Sequence, residues 1–311
     1  MPASPACGHS ITCRYKQMDG LNIPGKIPRQ IRKWTCHKLE CFSDYIEAYT
    51  KTLGKASYCY LELYAGCGRC ICKGTDCRID DSELRALKAK TKFARYIFIV
   101  RNHQNAENLK RLIAAYNTDD IEVIIGDCNN EKVIRQLFDL IPRSASSFAL
   151  IDPTGYRRVH WSTIKQLATH GADWKGDKMA LLILFPLEMA LLRNLMRPEC
   201  QASVTRLYGN QQWEEIKSQK LGGKIESGEA RSQLVELFKA GLRGLGYKYV
   251  EDFKPTWPSP RPFYHLILAS DSDTGTKILK DAWGKSRYLP CELFHGKKGK
   301  AKRPRKNLQA G

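Results

Sequence analysis

"YCYLELYAGCGRCICKGTDC" (Tyr58–Cys77) joins two patterns that suit different chemistry. Tyr58 to Tyr64 is apolar and β-forming, and the chain then meets Gly66 and Gly68. A continuous apolar run stopped by glycine predicts a strand buried on both faces that ends in a tight turn. Lacking Cβ atoms, Gly66 and Gly68 allow a ligand to approach the backbone closely. The second half places Cys67, Cys70, Cys72 and Cys77 within eleven residues. That spacing is compatible with a structural zinc or an iron–sulfur cluster, and equally with small buried thiols stiffening a loop.

Working outward, strands and helices alternate. An amphipathic helix from Trp34 carries Cys41, Phe42, Tyr45, Ile46, Tyr49 and Leu53 at helical spacing. Further strands are expected at 96–100, 121–125, 148–151 and 179–185, with helices at 107–116, 131–141 and 161–170. This order implies a mostly parallel sheet covered on both faces. Two last strand-like runs, 247–253 and 263–269, are joined only by a short Pro-rich segment, too short for a parallel crossover, so they pair antiparallel. Five alternating strands and a terminal antiparallel hairpin define an α/β, Rossmann-like methyltransferase layout. The organisation read from the chain is a loose arm over 1–30, an α/β domain over 31–290 and a basic tail over 291–311. A polar insertion at 197–228 is placed to form a lid or a surface loop.

The 311 residues carry a formal charge of +19, and 42% are hydrophobic, enough for a sizeable core. Seven of the positive charges fall in "KKGKAKRPRK" (Lys297–Lys306), with Lys297, Lys298, Lys300, Lys302 and Arg303 at its head, yet the remainder is basic too. A polyanion is the natural partner of such a chain, nucleic acid above all. The N-terminus lacks an apolar signal region, and the most apolar run, Met179–Leu192, holds Pro186 and Glu188 and is too short to span a bilayer. A cytoplasmic setting follows, in which the 12 cysteines act as thiols or metal ligands rather than disulfides.

In doubly wound sheets a ligand sits beyond the carboxyl ends of the strands. Three segments reach that rim: Glu62-Leu63-Tyr64-Ala65-Gly66-Cys67-Gly68, "IGDCN" with Asp127, and "IDPTGY" with Asp152, Pro153 and Tyr156. Together they resemble S-adenosylmethionine (SAM) dependent methyltransferases. A closer resemblance is to the three-Cys-motif partner (TcmP) family, carried by "WTCHKLE" (34–40), "LELYAGCGRC" (61–70), "DDSELRAL" (80–87), "IDPTGYRRVHW" (151–161), "LILFPLEMALLRN" (182–194), "LYGNQQWEEI" (207–216) and "FYHLILASDSDTGTKILKDAW" (263–283). The resemblance implies a methyltransferase-like fold, SAM as cofactor and a partner protein bearing a three-cysteine motif. It also aligns His37 with a family "KH" position. Two departures stand out. Val100 replaces the acid that would take the ribose hydroxyls, leaving Asn102 as a neutral substitute, and Asp80-Asp81-Ser82-Glu83 stands where relatives have "DGSP".

Glu62, Tyr64, Ala65, Gly66, Gly68, Asn102 and Asp127 are therefore the expected cofactor contacts. Asp152 and the Pro153 carbonyl are placed to accept a proton from an exocyclic amine, and Tyr156 to stack on a flat substrate. Arg157 and Arg158 follow directly, where phosphates would be met. Cys7, His9, Cys13, Cys36, His37 and Cys41 form a second candidate metal set. Three functional readings remain: a methyltransferase acting on nucleic acid or a nucleobase, a methyltransferase-shaped adaptor without turnover, or a redox or metal protein built on the cysteine cluster.

Overall fold

The computed structural model describes residues 29–31, 33–52, 58–72, 78–116, 119–142, 145–170, 178–187, 191–253 and 264–286. In chain order these form β1 (Arg29–Ile31), α1 (Lys33–Thr52), β2 (Tyr58–Glu62), β3 (Arg69–Cys72), β4 (Arg78–Asp80), α2 (Ser82–Lys88), β5 (Arg95–Val100), α3 (His103–Ile113), β6 (Ile121–Ile125) and α4 (Glu131–Asp139). There follow β7 (Ser146–Ile151), α5 (Trp161–Thr169), β8 (Ala180–Phe185), the single turn α6 (Leu192–Asn194), α7 (Gln201–Tyr208), α8 (Trp213–Leu221), α9 (Ser227–Gly244), β9 (Tyr249–Phe253), β10 (His265–Ser270) and α10 (Asp273–Ser286).

The main sheet has seven strands in the order β6-β5-β2-β7-β8-β10-β9. β6, β5, β2, β7 and β8 run parallel, while β10 pairs antiparallel with both β8 and β9. This is a Rossmann-like methyltransferase fold with a C-terminal antiparallel hairpin, as the strand spacing predicts. The sequence order reverses at β2, flanked by β5 and β7, so the ligand crevice of the fold opens beyond Glu62.

The inner strands β2, β5, β7, β8 and β10 are buried along almost their whole length because both of their faces are covered. Leu61, Ile97, Ile99, Ala149, Ile183 and Ile267 pack with α4, α5, α7, α8 and α9. The alternate positions Tyr60, Phe98, Val100, Phe148, Leu182 and Leu268 pack with α1, α2, α3 and α10. The second layer is aromatic: Tyr60 stacks on Phe148 at 6.0 Å and meets Phe98 edge-on at 6.1 Å. The strand period of two thus divides one sequence run between two cores.

Three expectations are corrected. Arg29 and Gln30 are not part of a loose arm: with Ile31 they form a strand that pairs with Cys70, Ile71 and Cys72. Within the cysteine stretch Arg69–Cys72 is a strand as well, β3, antiparallel to β4, and Cys70 joins Ile31, Cys36, Leu39 and Ile79 in a small core. The segment 197–228 is largely helical rather than a surface loop. α7 and α8 bury Val204, Leu207, Tyr208, Trp213 and Ile216 in the main core, since those apolar residues recur at helical spacing among polar ones. Residues 1–28 and 287–311, with Lys297, Lys298, Lys300, Lys302 and Arg303, lie outside the described residues.

Candidate functional site

β2 ends at Glu62, and the chain then turns across the sheet edge. The turn is pinned on both sides: Leu63 N–H donates to Leu150 O at 3.1 Å and Ala65 N–H to Ile99 O at 3.0 Å. Gly68 has φ of +81°, the left-handed region that disfavours a side chain, and a Cβ there would lie 2.9 Å from Leu112 Cδ1. Gly68 is therefore required by the turn and by close packing against α3. Gly66 is closely packed without being at positive φ: a Cβ there would sit 3.3 Å from Glu83 Oε1 and 3.5 Å from Asp81 Oδ2.

Glu83 is the main residue that sequence reasoning missed. It lies in the first turn of α2, is 0% exposed, and its Oε1 accepts the Gly66 N–H. Its other oxygen, Oε2, is buried without a hydrogen-bond partner. Around it gather more carboxylates. Glu62 accepts from Tyr60 Oη at 3.1 Å and Ser82 Oγ at 2.6 Å. Asp81 caps α2 through Ser82 N–H at 3.2 Å, accepts the Cys70 thiol at 3.0 Å and pairs with Arg29 at 2.8 Å. Burial, then the neighbouring Asp81, pushes the Glu83 carboxyl up to about 8. Burial and then Glu83 likewise push Glu62 far above the usual carboxylate range. Burial acts on Asp81 in the same sense, but Arg29, the Cys70 hydrogen bond and Lys38 outweigh it and hold Asp81 low. The only advance signal was the charged replacement of "DGSP" by Asp80-Asp81-Ser82-Glu83.

Asp152, just past β7, pairs with Lys38 of α1. The rim loop behind it is tied down by Tyr64 Oη and Asn129 Nδ2, which donate to Arg158 O at 2.7 and 2.8 Å. Asn129 in turn accepts from Thr163 at 2.9 Å. Asp127 Oδ1 accepts from Asn129 N–H and Nδ2, and its Oδ2 faces Arg101 Nε at 3.5 Å. The structure thus brings Glu62, Gly66, Asp127 and Asp152 to the ends of neighbouring strands and adds Lys38, Asp81 and Glu83.

Other expected roles are corrected. Tyr156 is 1% exposed and belongs to the main core, so its ring cannot stack on a substrate; the Pro and Gly turn folds it inward. Pro153 is buried too. Val100 is 0% exposed and packs on the aromatic layer, while Asn102 spends its side-chain oxygen capping α3 through Asn105 N–H at 2.9 Å. Arg157 is exposed but turns one guanidinium nitrogen to the buried Cys200 Sγ at 2.9 Å, whereas Arg158 is exposed. Cys67 donates to Arg69 O at 3.1 Å, and burial raises both its thiol and that of Cys70. Among the described residues no three His, Cys, Asp or Glu side chains are grouped to hold a metal. Cys77 and the side chains of Cys72 and His37 lie outside the described residues, as do Cys7, His9 and Cys13; Cys36 and Cys41 are buried in separate clusters.

This strand order and rim define the class of protein as one with a methyltransferase fold. No family model and no curated protein matches the chain. Solved structures with a similar fold include M. jannaschii TYW2, crystallised with AdoMet, at 10% identity and a TM-score of 0.39 over 76% of this chain and 75% of that one. Protein LPL1258 from Legionella pneumophila is similar at 12% identity and a TM-score of 0.46, over 79% of this chain and 92% of that one. Both likenesses are distant, and the fold rests on the strand order itself.

Proposed function

We propose that the protein is a SAM-dependent methyltransferase acting on nucleic acid or a nucleobase. The observation that carries this reading is the gathering of carboxylates around a glycine turn at the β2 switch point, with a buried oxygen of Glu83 left unpartnered. SAM carries a sulfonium and an α-amino acid end, and the unpartnered Oε2 of Glu83 suits its ammonium. When bound, it supplies a methyl group activated by that sulfonium.

The chain's own residues do the rest by position. Gly66, lacking a Cβ, lets the cofactor approach the turn closely, and Asp127 stands at the end of β6 for an adenine edge. Lys38 orients Asp152 through Oδ2, leaving Oδ1 to accept a proton from a substrate amine. Nucleic acid as substrate is supported by the charge of +19 and by the exposed Arg158 on the same loop as Asp152. A partner protein with a three-cysteine motif is supported by the motif resemblance alone.

The second reading, an adaptor without turnover, is favoured by the rim beyond β5. Val100 faces the core and the Asn102 side-chain oxygen is committed to its cap, so neither offers the ribose an acceptor. Loss of such an acceptor weakens binding by about 1.5–3 kcal/mol. Incubation with methyl-labelled SAM and DNA or RNA separates the two. Label retained on the polymer, and lost in Asp152→Asn, supports the enzyme; binding of the polymer without transfer supports the adaptor.

A further inference from the structure

The two oxygens of Glu83 are unequally served. Oε1 accepts the Gly66 N–H, whereas Oε2 is buried and unpartnered. Its neighbours are not in that state: both oxygens of Glu62 accept hydrogen bonds, and so do both of Asp81. A backbone N–H at a glycine turn is where a ligand's anionic group is received. Here the protein fills that place with a carboxylate of its own, and keeps a second oxygen suited to a cation. An α-amino acid end carries both complementary groups on one carbon. A metal ion is the poorer occupant, since no three ligating side chains are grouped among the described residues.

We propose that Glu83 is an exchange carboxylate for an α-amino acid end: on binding, the ligand's carboxylate takes over the Gly66 N–H and its ammonium pairs with Glu83. The proposal rests on the SAM reading and names the residue that selects the cofactor's amino-acid moiety. Gly66, which holds the carboxylate, and the next residue Cys67 are both partly exposed, so the exchange takes place at the turn itself.

The charged and titratable groups around Glu83 are Glu62 and Tyr60 of β2, Cys67 in the turn, Asp81 at the α2 cap and Arg29 of β1, with Lys38 and Asp152 beyond. With its carboxyl raised to about 8, Glu83 is mostly protonated at pH 7 in the free protein. Pairing with an ammonium ionises it, so binding at pH 7 releases a proton.

Two probes isolate the amino-acid end: S-adenosylhomocysteine, which has it, and 5′-methylthioadenosine, which lacks it. Calorimetry on the full chain at pH 7, in two buffers of different ionisation enthalpy, gives affinity and proton count together. S-adenosylhomocysteine is expected to bind about 10- to 100-fold more tightly and to release roughly one proton, and 5′-methylthioadenosine to release none. Glu83→Gln brings the two affinities within about threefold and removes the proton release. The proton count on the unaltered protein needs no variant, so a poorly folding Glu83→Gln does not blunt the test. Equal affinities, absent proton release, or a preference retained in Glu83→Gln each overturn the role of Glu83. If neither nucleoside binds the unaltered protein, the SAM reading itself falls, and this inference with it.

Discussion

Gly68 and Gly209 show how single positions are dictated by backbone and space together. Both lie at positive φ, and a Cβ on Gly209 would come within 2.2 Å of Trp161 Cδ1. Gly68→Ala is expected to cost about 1–3 kcal/mol in urea unfolding, because strain and crowding against Leu112 add; an unchanged midpoint contradicts the packing. Gly209→Ala has an aromatic ring rather than a methyl in its way, so its midpoint falls further. A second residue-scale prediction concerns Asp252. It meets His265 Nδ1 at 3.0 Å and Lys239 Nζ at 3.1 Å, and these partners, His265 first, hold its carboxyl well below the usual range. A depressed carboxyl stabilises the fold above its unfolded value, about 4, and loses that contribution as pH falls toward its folded value. Asp252→Asn is therefore expected to destabilise by about 1–3 kcal/mol at pH 7, with the deficit shrinking between about pH 5 and 3. A deficit constant from neutral to acid pH argues against the pairing.

At the scale of elements, α7, α8 and α9 decide whether the region after β8 is a gate or a wall. Trp213 is 0% exposed and its Nε1 donates to Thr205 Oγ1 at 3.2 Å, joining α8 to α7. Phe185 at the end of β8 lies 4.7 Å from Phe238 of α9, so the layer continues into the sheet. Trp213→Ala is expected to cost about 3–5 kcal/mol, as for other large core aromatics, read as a lower unfolding midpoint. A wall loses global stability in this way. If only local protease sensitivity near 209–226 changes, the segment is a lid after all. The small sheet β1-β3-β4 is structural in the same sense. It carries Arg29 to Asp81 and Cys70 to the same carboxylate, and so sets the position of α2 and Glu83.

For the whole molecule, the charge of +19 bears on partners rather than on the fold. If nucleic acid is bound, log affinity falls linearly with log salt, by close to one unit of slope per phosphate neutralised. Arg158→Ala is expected to lower that slope by about one, and deletion of Lys297–Lys306 by several. Both are measured by fluorescence anisotropy with a labelled single strand over a salt series. Unchanged slopes remove these residues from the interface. Among the described residues no helix is long and apolar enough to cross a membrane.

Much of this architecture was legible in the chain, for a reason visible in its residues. "YIFIV", "FALI" and "MALLILF" are apolar at every position, and only a sheet covered on both sides buries all of them. The short link before His265 left the hairpin no parallel alternative. The glycines of the turn, Asp127 and Asp152 were equally readable, since each ends an apolar run. What the chain could not reveal depends on which side chains meet across it. Lys38 reaches Asp152 over 114 positions, Arg29 reaches Asp81 over 52, and Glu83 returns to Gly66 over 17. Periodicity reports which face a residue takes, whereas the protonation and pairing of a buried carboxylate depend on distance and dielectric, which arise only once α1, α2 and the small sheet close over the turn.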